Sequence, residues 1–125
     1  MLTGHFINSP QGKLFITQFG EVVGDTAVLC LPSITEEMNL ARAVAAKQAQ
    51  HFSKSGLPCF ILDYYGTGDS EGEFEQADAD IWLKDILVAG DFLLQQGITK
   101  IILWGIRFGA LFILNHQEKL HQELP

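Results

Sequence analysis

Basic residues are scarce in this sequence. Eight Lys and Arg stand against fifteen Asp and Glu, which gives a net charge of −7, and no cluster of basic residues interrupts that balance. The phosphate backbone of a polynucleotide would therefore be repelled on average. We expect no nucleic-acid partner.

Cysteine is also scarce, and a long hydrophobic run is missing. The two cysteines, Cys30 and Cys59, lie in or beside apolar runs, which predicts buried, reduced thiols and not a catalytic cysteine. The N-terminus lacks the pattern of a signal peptide, and the longest apolar stretch, 101–114, contains two glycines and Arg107 and is too short to span a bilayer. We expect a cytoplasmic protein with no membrane partner.

What is present is the composition of a single globular domain, with 125 residues of which 47% are hydrophobic and 18% charged. Two short β-prone segments around the turn residues 8–13 predict an N-terminal hairpin. After them, apolar runs alternate with helical patterns, in the order 27–31, 33–52, 59–62, 80–96, 101–104 and a last helix from about Arg107 that turns polar after Asn115. This alternation predicts an α/β fold with a mostly parallel sheet led by an antiparallel hairpin.

The most informative stretch is Lys100–Leu111. An apolar run ends at Gly105, a second glycine follows at Gly109, and a helical pattern continues beyond it. This is the layout of a nucleophile elbow, G-x-S-x-G, in which a buried strand turns abruptly into a helix. Arg107 occupies the central position in place of serine. Because a guanidinium stays protonated and has no lone pair with which to attack a carbonyl, the sequence excludes covalent catalysis from this position.

Two other segments, 31–39 and 63–70, also follow directly on predicted strands. In an open parallel sheet the loops at the carboxyl ends line one crevice, where ligands bind. Gly66, Gly68 and Gly72 do not form a dinucleotide fingerprint, because their spacing is G-x-G-x-x-x-G and the acidic residues that follow would repel a pyrophosphate. We expect a solvated acidic loop, with neither a cofactor nor a metal.

Three motifs in this order resemble the α/β-hydrolase superfamily and, within it, the exosortase-A-system-associated hydrolase 2 group. They are Leu31-Pro32 with Glu36-Glu37-Met38-Asn39, then Asp63-x-Tyr65-Gly66-x-Gly68-Asp69-Ser70, then Leu103-Trp104-Gly105-x-Arg107-x-Gly109. Members of that group accompany bacterial exopolysaccharide and protein-sorting loci, and they also carry arginine at the elbow. The resemblance covers nearly the whole chain and implies the strand order 1-2-4-3-5.

The resemblance also implies that residues 1–125 are the N-terminal portion of an α/β-hydrolase-type domain, truncated after the elbow helix. Members of the superfamily continue with strands that supply an acid and a histidine. The four histidines of this chain do not follow a late strand, so none takes the position of a catalytic base. We expect the strand 101–104 to have an unpaired edge that leads to aggregation or edge-to-edge dimerisation.

Arg107 has two alternative roles. In one, it binds the carboxylate or phosphate of an anionic small molecule, helped by the positive end of the helix behind it. In the other, it forms an ion pair with Glu36 or Glu37, whose loop opens onto the same edge of the sheet. The remaining candidate binding residues of the crevice are Asn39, Asp63 and Tyr65.

The frame of an oxyanion hole is also predicted, from the backbone N–H of Phe108 and one from Ser33 or Ile34. The hydroxyls of Ser33 and Ser70 are better explained as a helix N-cap and a loop hydrogen-bonder than as nucleophiles. Two functions stay open: a member of a hydrolase family without its serine nucleophile, or a non-catalytic binding or accessory protein that recognises an anion through Arg107.

Overall fold

The computed structural model describes residues 2–32, 38–67, 70–72, 78–105 and 108–124, without the side chains of 38–43, 108 and 111. These residues form five strands and three helices. In chain order they are β1 (Leu2–Asn8), β2 (Lys13–Phe19), β3 (Thr26–Leu31), α1 (Met38–Lys54), β4 (Cys59–Asp63), α2 (Ala79–Gln95), β5 (Lys100–Gly105) and α3 (Phe108–Glu123). The predicted α/β class, led by a hairpin, is confirmed.

The five strands form one mixed sheet. β1 pairs antiparallel with β2, and β2 pairs antiparallel with β4. β3 lies parallel to β4 on one side and parallel to β5 on the other. The order β1-β2-β4-β3-β5 is therefore the one that the resemblance implied, and it leaves β1 and β5 at the two edges.

Two apolar layers lie on opposite faces of the sheet. The larger layer contains Ile86 and Leu93 of α2 and Phe112 of α3, and the smaller layer contains Ala45 and Ala49 of α1. The central strands β3 and β4 contribute side chains to both layers, so all of their positions but the first of β3 are buried. Burial on both faces explains why these strands are continuous apolar runs in the sequence, without alternation.

Local signals set the limits of α2. The carboxylate of Asp78 accepts a hydrogen bond from the backbone N–H of Ile81 at 2.9 Å and caps the N-terminus. Gly97 follows the last turn with φ 93°, a left-handed conformation that favours glycine. The predicted apolar face of the helix is buried and consists of Trp82, Ile86, Ala89 and Leu93.

The last helix, α3, differs in part from its prediction. Its backbone kinks at His116, where φ is −123° and ψ is 16°, and the imidazole stacks on Phe112 with ring centroids 4.1 Å apart. The helix does not become polar throughout after Asn115, because Leu120 is buried in the larger apolar layer. Leu124 also packs there, so closely against Gly90 of α2 that a Cβ at Gly90 would collide with it.

No helix among the residues described is long and apolar enough to cross a bilayer.

Candidate functional site

The carboxyl ends of β3, β4 and β5 meet at one edge of the sheet. Gly105, the last residue of β5, lies beside Leu31, the last residue of β3. From the end of β4, the hydroxyl of Tyr64 donates a buried hydrogen bond to the carbonyl oxygen of Pro32 at 3.1 Å. The structure therefore brings together the ends of all three strands whose following loops are predicted to line one crevice. We call this edge the carboxyl rim.

The turn from β5 into α3 is tight on both of its sides, and only two residues separate the strand from the helix. A Cβ at Gly105 would lie 2.5 Å from the Cα of Ala110, and a Cβ at Gly109 would overlap the carbonyl group of Leu31. Since neither approach is possible for a real side chain, both positions require glycine, as the elbow pattern predicts. The prediction of an abrupt strand-to-helix turn is confirmed by the residues that flank it.

Several of the predicted site residues lie outside the described part of the chain. They are Ser33, Ile34, Glu36, Glu37 and Arg107. Asn39 lies in the first turn of α1, and its side chain is not among those that the structure describes. Phe108 is the first residue of α3, so its backbone N–H is one of those at a helix N-terminus that have no acceptor within the helix. The ion pair and the anion site at Arg107 both remain predictions.

Asp63 and Ser70 anchor the loop that follows β4. Asp63 ends that strand and is 4% exposed. Its carbonyl oxygen accepts a hydrogen bond from the Ser70 hydroxyl at 2.5 Å, while Ser70 Oγ accepts one from the backbone N–H of Phe15 at 2.7 Å. Ser70 therefore ties the loop to β2, and its predicted role as a loop hydrogen-bonder is confirmed.

Tyr65 is held by α2 through both of its backbone groups. The Asp85 carboxylate accepts a hydrogen bond from the Tyr65 N–H at 2.7 Å, and the Trp82 indole donates one to the Tyr65 carbonyl oxygen at 3.0 Å. Asp85 is 1% exposed. Burial raises the pKa of its carboxyl from 3.8 to about 6, and the hydrogen bond from Tyr65 opposes part of that rise.

Asp85 was not among the site residues predicted from the sequence. One signal was available: Asp85 lies three residues after Trp82 and directly before Ile86, on the face of the predicted helix that is otherwise apolar. An acidic residue in that position is either a break in the apolar face or a buried group with a backbone partner. Sequence periodicity does not distinguish the two cases.

Glu71, an acidic residue of the loop after β4, is hydrogen-bonded to the N-terminal hairpin. Its carboxylate accepts a hydrogen bond from the backbone N–H of Lys13 at 2.6 Å, and its own N–H donates to the Lys13 carbonyl oxygen at 2.8 Å. Among the described residues, no group of three or more His, Cys, Asp or Glu side chains is arranged to hold a metal ion.

Both cysteines are buried and free, as predicted. Burial raises the pKa of Cys59 to about 12. Burial raises the pKa of Cys30 further, with an additional contribution from the negative charge of the Cys59 thiolate. Because the thiolate is the nucleophilic form of cysteine, neither residue is poised for covalent chemistry.

No protein-family model matches the sequence, and no curated protein is similar to it in sequence. Solved structures are similar over nearly the whole chain. An epoxide hydrolase from Vigna radiata matches 98% of it with a TM-score of 0.78 at 19% identity. Alpha/beta hydrolase domain-containing protein 10 from mouse matches 98% with a TM-score of 0.72 at 21% identity. A serine hydrolase without a lid from Xanthomonas campestris matches 96% with a TM-score of 0.75 at 19% identity.

The chain covers only part of the length of these neighbours, namely 37% of the epoxide hydrolase, 46% of the mouse protein and 57% of the Xanthomonas protein. At these sequence identities the likeness concerns the fold. The chain therefore has the α/β-hydrolase fold over the part that these proteins share with it.

Proposed function

We propose that this chain is part of a protein of the α/β-hydrolase superfamily, of the exosortase-A-system-associated hydrolase 2 type, whose elbow works without a covalent nucleophile. The observation that supports this most strongly is the packing of the elbow glycines. Gly109 lies against the Leu31 carbonyl group, and Gly105 lies against the first turn of α3. Such close approaches belong to a strand that turns directly into a helix, and Arg107 is the central residue of that turn in the sequence.

The chemistry of the turn points to recognition of an anion. The guanidinium of Arg107 is a permanent cation with planar donors that match a carboxylate or a phosphate. In the sequence, Arg107 immediately precedes α3, a helix of 16 residues, and the N-terminus of a helix carries unpaired N–H groups and a partial positive charge. We therefore assign the elbow a non-covalent role, the binding of an anionic small molecule at the carboxyl rim. Glu36 and Glu37 are the competing partners of Arg107.

The described residues of the rim suit this role because they are fixed by hydrogen bonds. α2 holds the backbone of Tyr65 through Asp85 and Trp82, and Ser70 holds the end of β4 against β2. Binding groups mounted on such a supported frame keep their geometry. Asp63 and Tyr65 remain the candidate binding residues on this part of the rim.

A non-catalytic binding or accessory protein is the second candidate. A specific observation favours it: the hydroxyl and thiol side chains described in and beside β3 and β4 are either hydrogen-bonded or buried. Ser70 takes part in two hydrogen bonds, and Cys30 and Cys59 are buried thiols with raised pKa values. Neither hydroxyl nor thiol is therefore free to take over the role of the missing serine.

Ester hydrolysis tests the absence of a covalent step. We expect no burst of nitrophenol from a nitrophenyl ester with the wild-type chain. We expect none with Arg107→Ser in residues 1–125 either, because a serine needs a neighbouring base and none of the four histidines in these residues follows a late strand. A burst in either protein would overturn the proposal of a non-covalent elbow. A broad screen of esters and amides separates the two candidates, since steady turnover supports the hydrolase and binding without turnover supports the accessory protein.

Thermal-shift measurements with inorganic phosphate and citrate test the anion site. We expect both anions to raise the melting temperature of the wild-type chain, and Arg107→Leu to abolish that increase. Lys47→Leu removes an exposed cation from α1 and serves as the matched control, which should keep the increase. If Arg107→Leu lowers the melting temperature and leaves the anion effect unchanged, the arginine is a structural ion-pair partner and the ligand role is wrong.

A further inference from the structure

A buried carboxylate lies directly behind the carboxyl rim. Asp85 of α2 is 1% exposed, and its Oδ2 atom accepts the N–H of Tyr65 at 2.7 Å. No Lys, Arg or His among the described residues pairs with it. A carboxylate that is buried without a cation is costly when it is ionised, so its protonation responds to any other charge that is placed nearby.

Hydrogen bonds connect Asp85 to the rim. Tyr65, whose backbone the carboxylate holds, directly follows Tyr64, and the Tyr64 hydroxyl donates to the carbonyl oxygen of Pro32 at 3.1 Å. Pro32 follows the last residue of β3, which pairs with Gly105 at the end of β5. The carboxylate therefore lies behind the strand ends that lead to the elbow.

The charge of Asp85 acts on a group at the rim. Burial raises the pKa of Tyr64 well above its ordinary value, and the negative charges of Cys30 and Asp85 raise it further. The Tyr64 hydroxyl therefore stays protonated and keeps its hydrogen bond to Pro32. Since that hydroxyl lies at the end of β3, a negative charge at Asp85 would also act on an anion bound at the rim.

The elbow is two strand spacings away from the backbone that Asp85 holds. β3 lies between β4 and β5, and neighbouring strands are about 4.8 Å apart, which places the end of β4 roughly 10 Å from the end of β5. Leu29 and Leu31 of the intervening strand are fully buried. Charges separated by such an apolar layer interact more strongly than they do in water.

On the premise that the elbow binds an anion through Arg107, as proposed above, we infer that the protonation of Asp85 controls the affinity of the carboxyl rim for that anion. The neutral carboxyl admits the anion, and the ionised carboxylate opposes it. Because linkage between two sites is reciprocal, a bound anion must also favour protonated Asp85. The rim therefore takes up an anion together with a proton.

The pH range of this control follows from the burial of Asp85. Burial raises the pKa of its carboxyl to about 6, and the hydrogen bond from Tyr65 opposes part of that rise. Below about pH 5 the carboxyl is neutral and the affinity for the anion is highest. Above about pH 7 it is ionised and the affinity is lowest. An exposed aspartate is ionised throughout this range and has no such effect.

Other titratable side chains lie on the elements that pack against α2, whereas β2, β3 and β5 turn uncharged side chains to that face of the sheet. They are His5 of β1, Tyr64 and Tyr65 at and after the end of β4, and His116, Glu118 and His121 of α3. Histidine side chains in general change charge between pH 5 and 8, and a positive charge on any of them favours an anion. The effect of Asp85 is therefore measured as a difference between the wild type and a variant that does not ionise at this position.

Sulfate binding, measured by isothermal titration calorimetry from pH 5 to pH 8 at constant ionic strength, tests the inference. Sulfate keeps its charge over this range, whereas phosphate does not. We expect the Kd of the wild type to increase between pH 5 and pH 7.5 by about three- to tenfold more than that of Asp85→Asn. The amide of this variant does not ionise and its oxygen still accepts the Tyr65 N–H, so the two proteins should bind sulfate equally at pH 5.

Asp91→Asn is the matched control. It removes an exposed carboxylate from the same helix and changes the net charge equally, and we expect it to keep the pH dependence of the wild type. Proton uptake gives a second measurement that does not depend on the stability of the variants. The heat of sulfate binding at pH 6, compared in two buffers of different ionisation enthalpy, should show that the wild type takes up more protons than Asp85→Asn.

Arg107→Leu separates the control by Asp85 from the anion site itself. If it abolishes sulfate binding while the wild type and Asp85→Asn share one pH dependence, the anion site stands and the control by Asp85 is wrong. If sulfate does not bind the wild type at any pH, or binds Arg107→Leu equally well, the anion site is wrong and the control by Asp85 falls with it. An equal loss of pH dependence in Asp91→Asn would also overturn the role of Asp85, because the effect would then belong to the net charge.

Discussion

The carboxylate of Asp85 accepts a hydrogen bond from the backbone N–H of Tyr65 at 2.7 Å, and burial raises its pKa to about 6. The folded protein therefore binds a proton at Asp85 more tightly than the unfolded chain does. The stabilising contribution of this group is fully present below pH about 4 and is lost as the pH rises to about 6. Above that pH the ionised, buried carboxylate costs about 3 kcal/mol of folding free energy.

Asp85→Asn should remove this pH dependence, because an amide does not ionise and its oxygen still accepts the Tyr65 N–H. We expect the variant to gain stability relative to wild type, by up to about 3 kcal/mol, between pH 4 and pH 7. Urea unfolding of both proteins across that range measures the difference. Parallel stability profiles would show that Asp85 titrates in the native state as it does in the unfolded chain.

Gly109→Ala should destabilise the elbow, because the new Cβ would overlap the carbonyl group of Leu31. Backbone has to move to relieve such an overlap, and we expect a loss of at least about 2 kcal/mol in the free energy of unfolding. Gly24→Ala is the control. Nothing lies within 4 Å of a Cβ at Gly24, so its stability should change by less than about 0.5 kcal/mol. Equal effects of the two substitutions would argue against a tight turn at Gly109.

Ser70→Ala should loosen the attachment of the β4 loop to β2. The substitution removes one hydroxyl that serves both the Phe15 N–H and the Asp63 carbonyl oxygen. Groups left without partners in a partly buried site cost about 1–3 kcal/mol, and denaturant unfolding measures this loss. Ser55→Ala removes an exposed hydroxyl that donates to the His51 carbonyl oxygen at 3.3 Å. A cost as large for Ser55 as for Ser70 would contradict the anchoring role of Ser70.

The two cysteines should resist alkylation in the native protein. Both are fully buried, and the pKa of Cys59 is raised to about 12 and that of Cys30 further still. We expect no modification by iodoacetamide at pH 8 without denaturant, and two modified thiols per chain in urea. Mass spectrometry counts the adducts. Rapid labelling of either cysteine in the folded chain would show that the strand carrying it opens to solvent.

Much of the fold followed from local patterns. The apolar runs of β3, β4 and β5, the turn of the hairpin and the apolar face of α2 gave the order and the approximate limits of the elements, because each pattern depends on residues close together in the chain. Two details of α3 differ from its prediction. The prediction for α3 missed the kink at His116, whose imidazole contacts the carbonyl oxygen and the ring of Phe112 in the same helix. It also missed the burial of Leu120, which depends on how that helix packs into the larger apolar layer.

The sequence by itself predicted the position of the elbow and the positive charge of its central residue. The requirement for glycine at position 105 is local, because a Cβ there would meet Ala110, and the ionisation of Arg107 is a property of the guanidinium alone. The requirement at Gly109 is tertiary, because a Cβ there would overlap the carbonyl group of Leu31 on the neighbouring strand. Tertiary structure decided which groups support the carboxyl rim. Asp85 meets Tyr65 across 20 residues of sequence, and Ser70 meets Phe15 across 55. An acid or a hydroxyl gains such a partner only when distant elements pack, because burial removes the water that would otherwise solvate it.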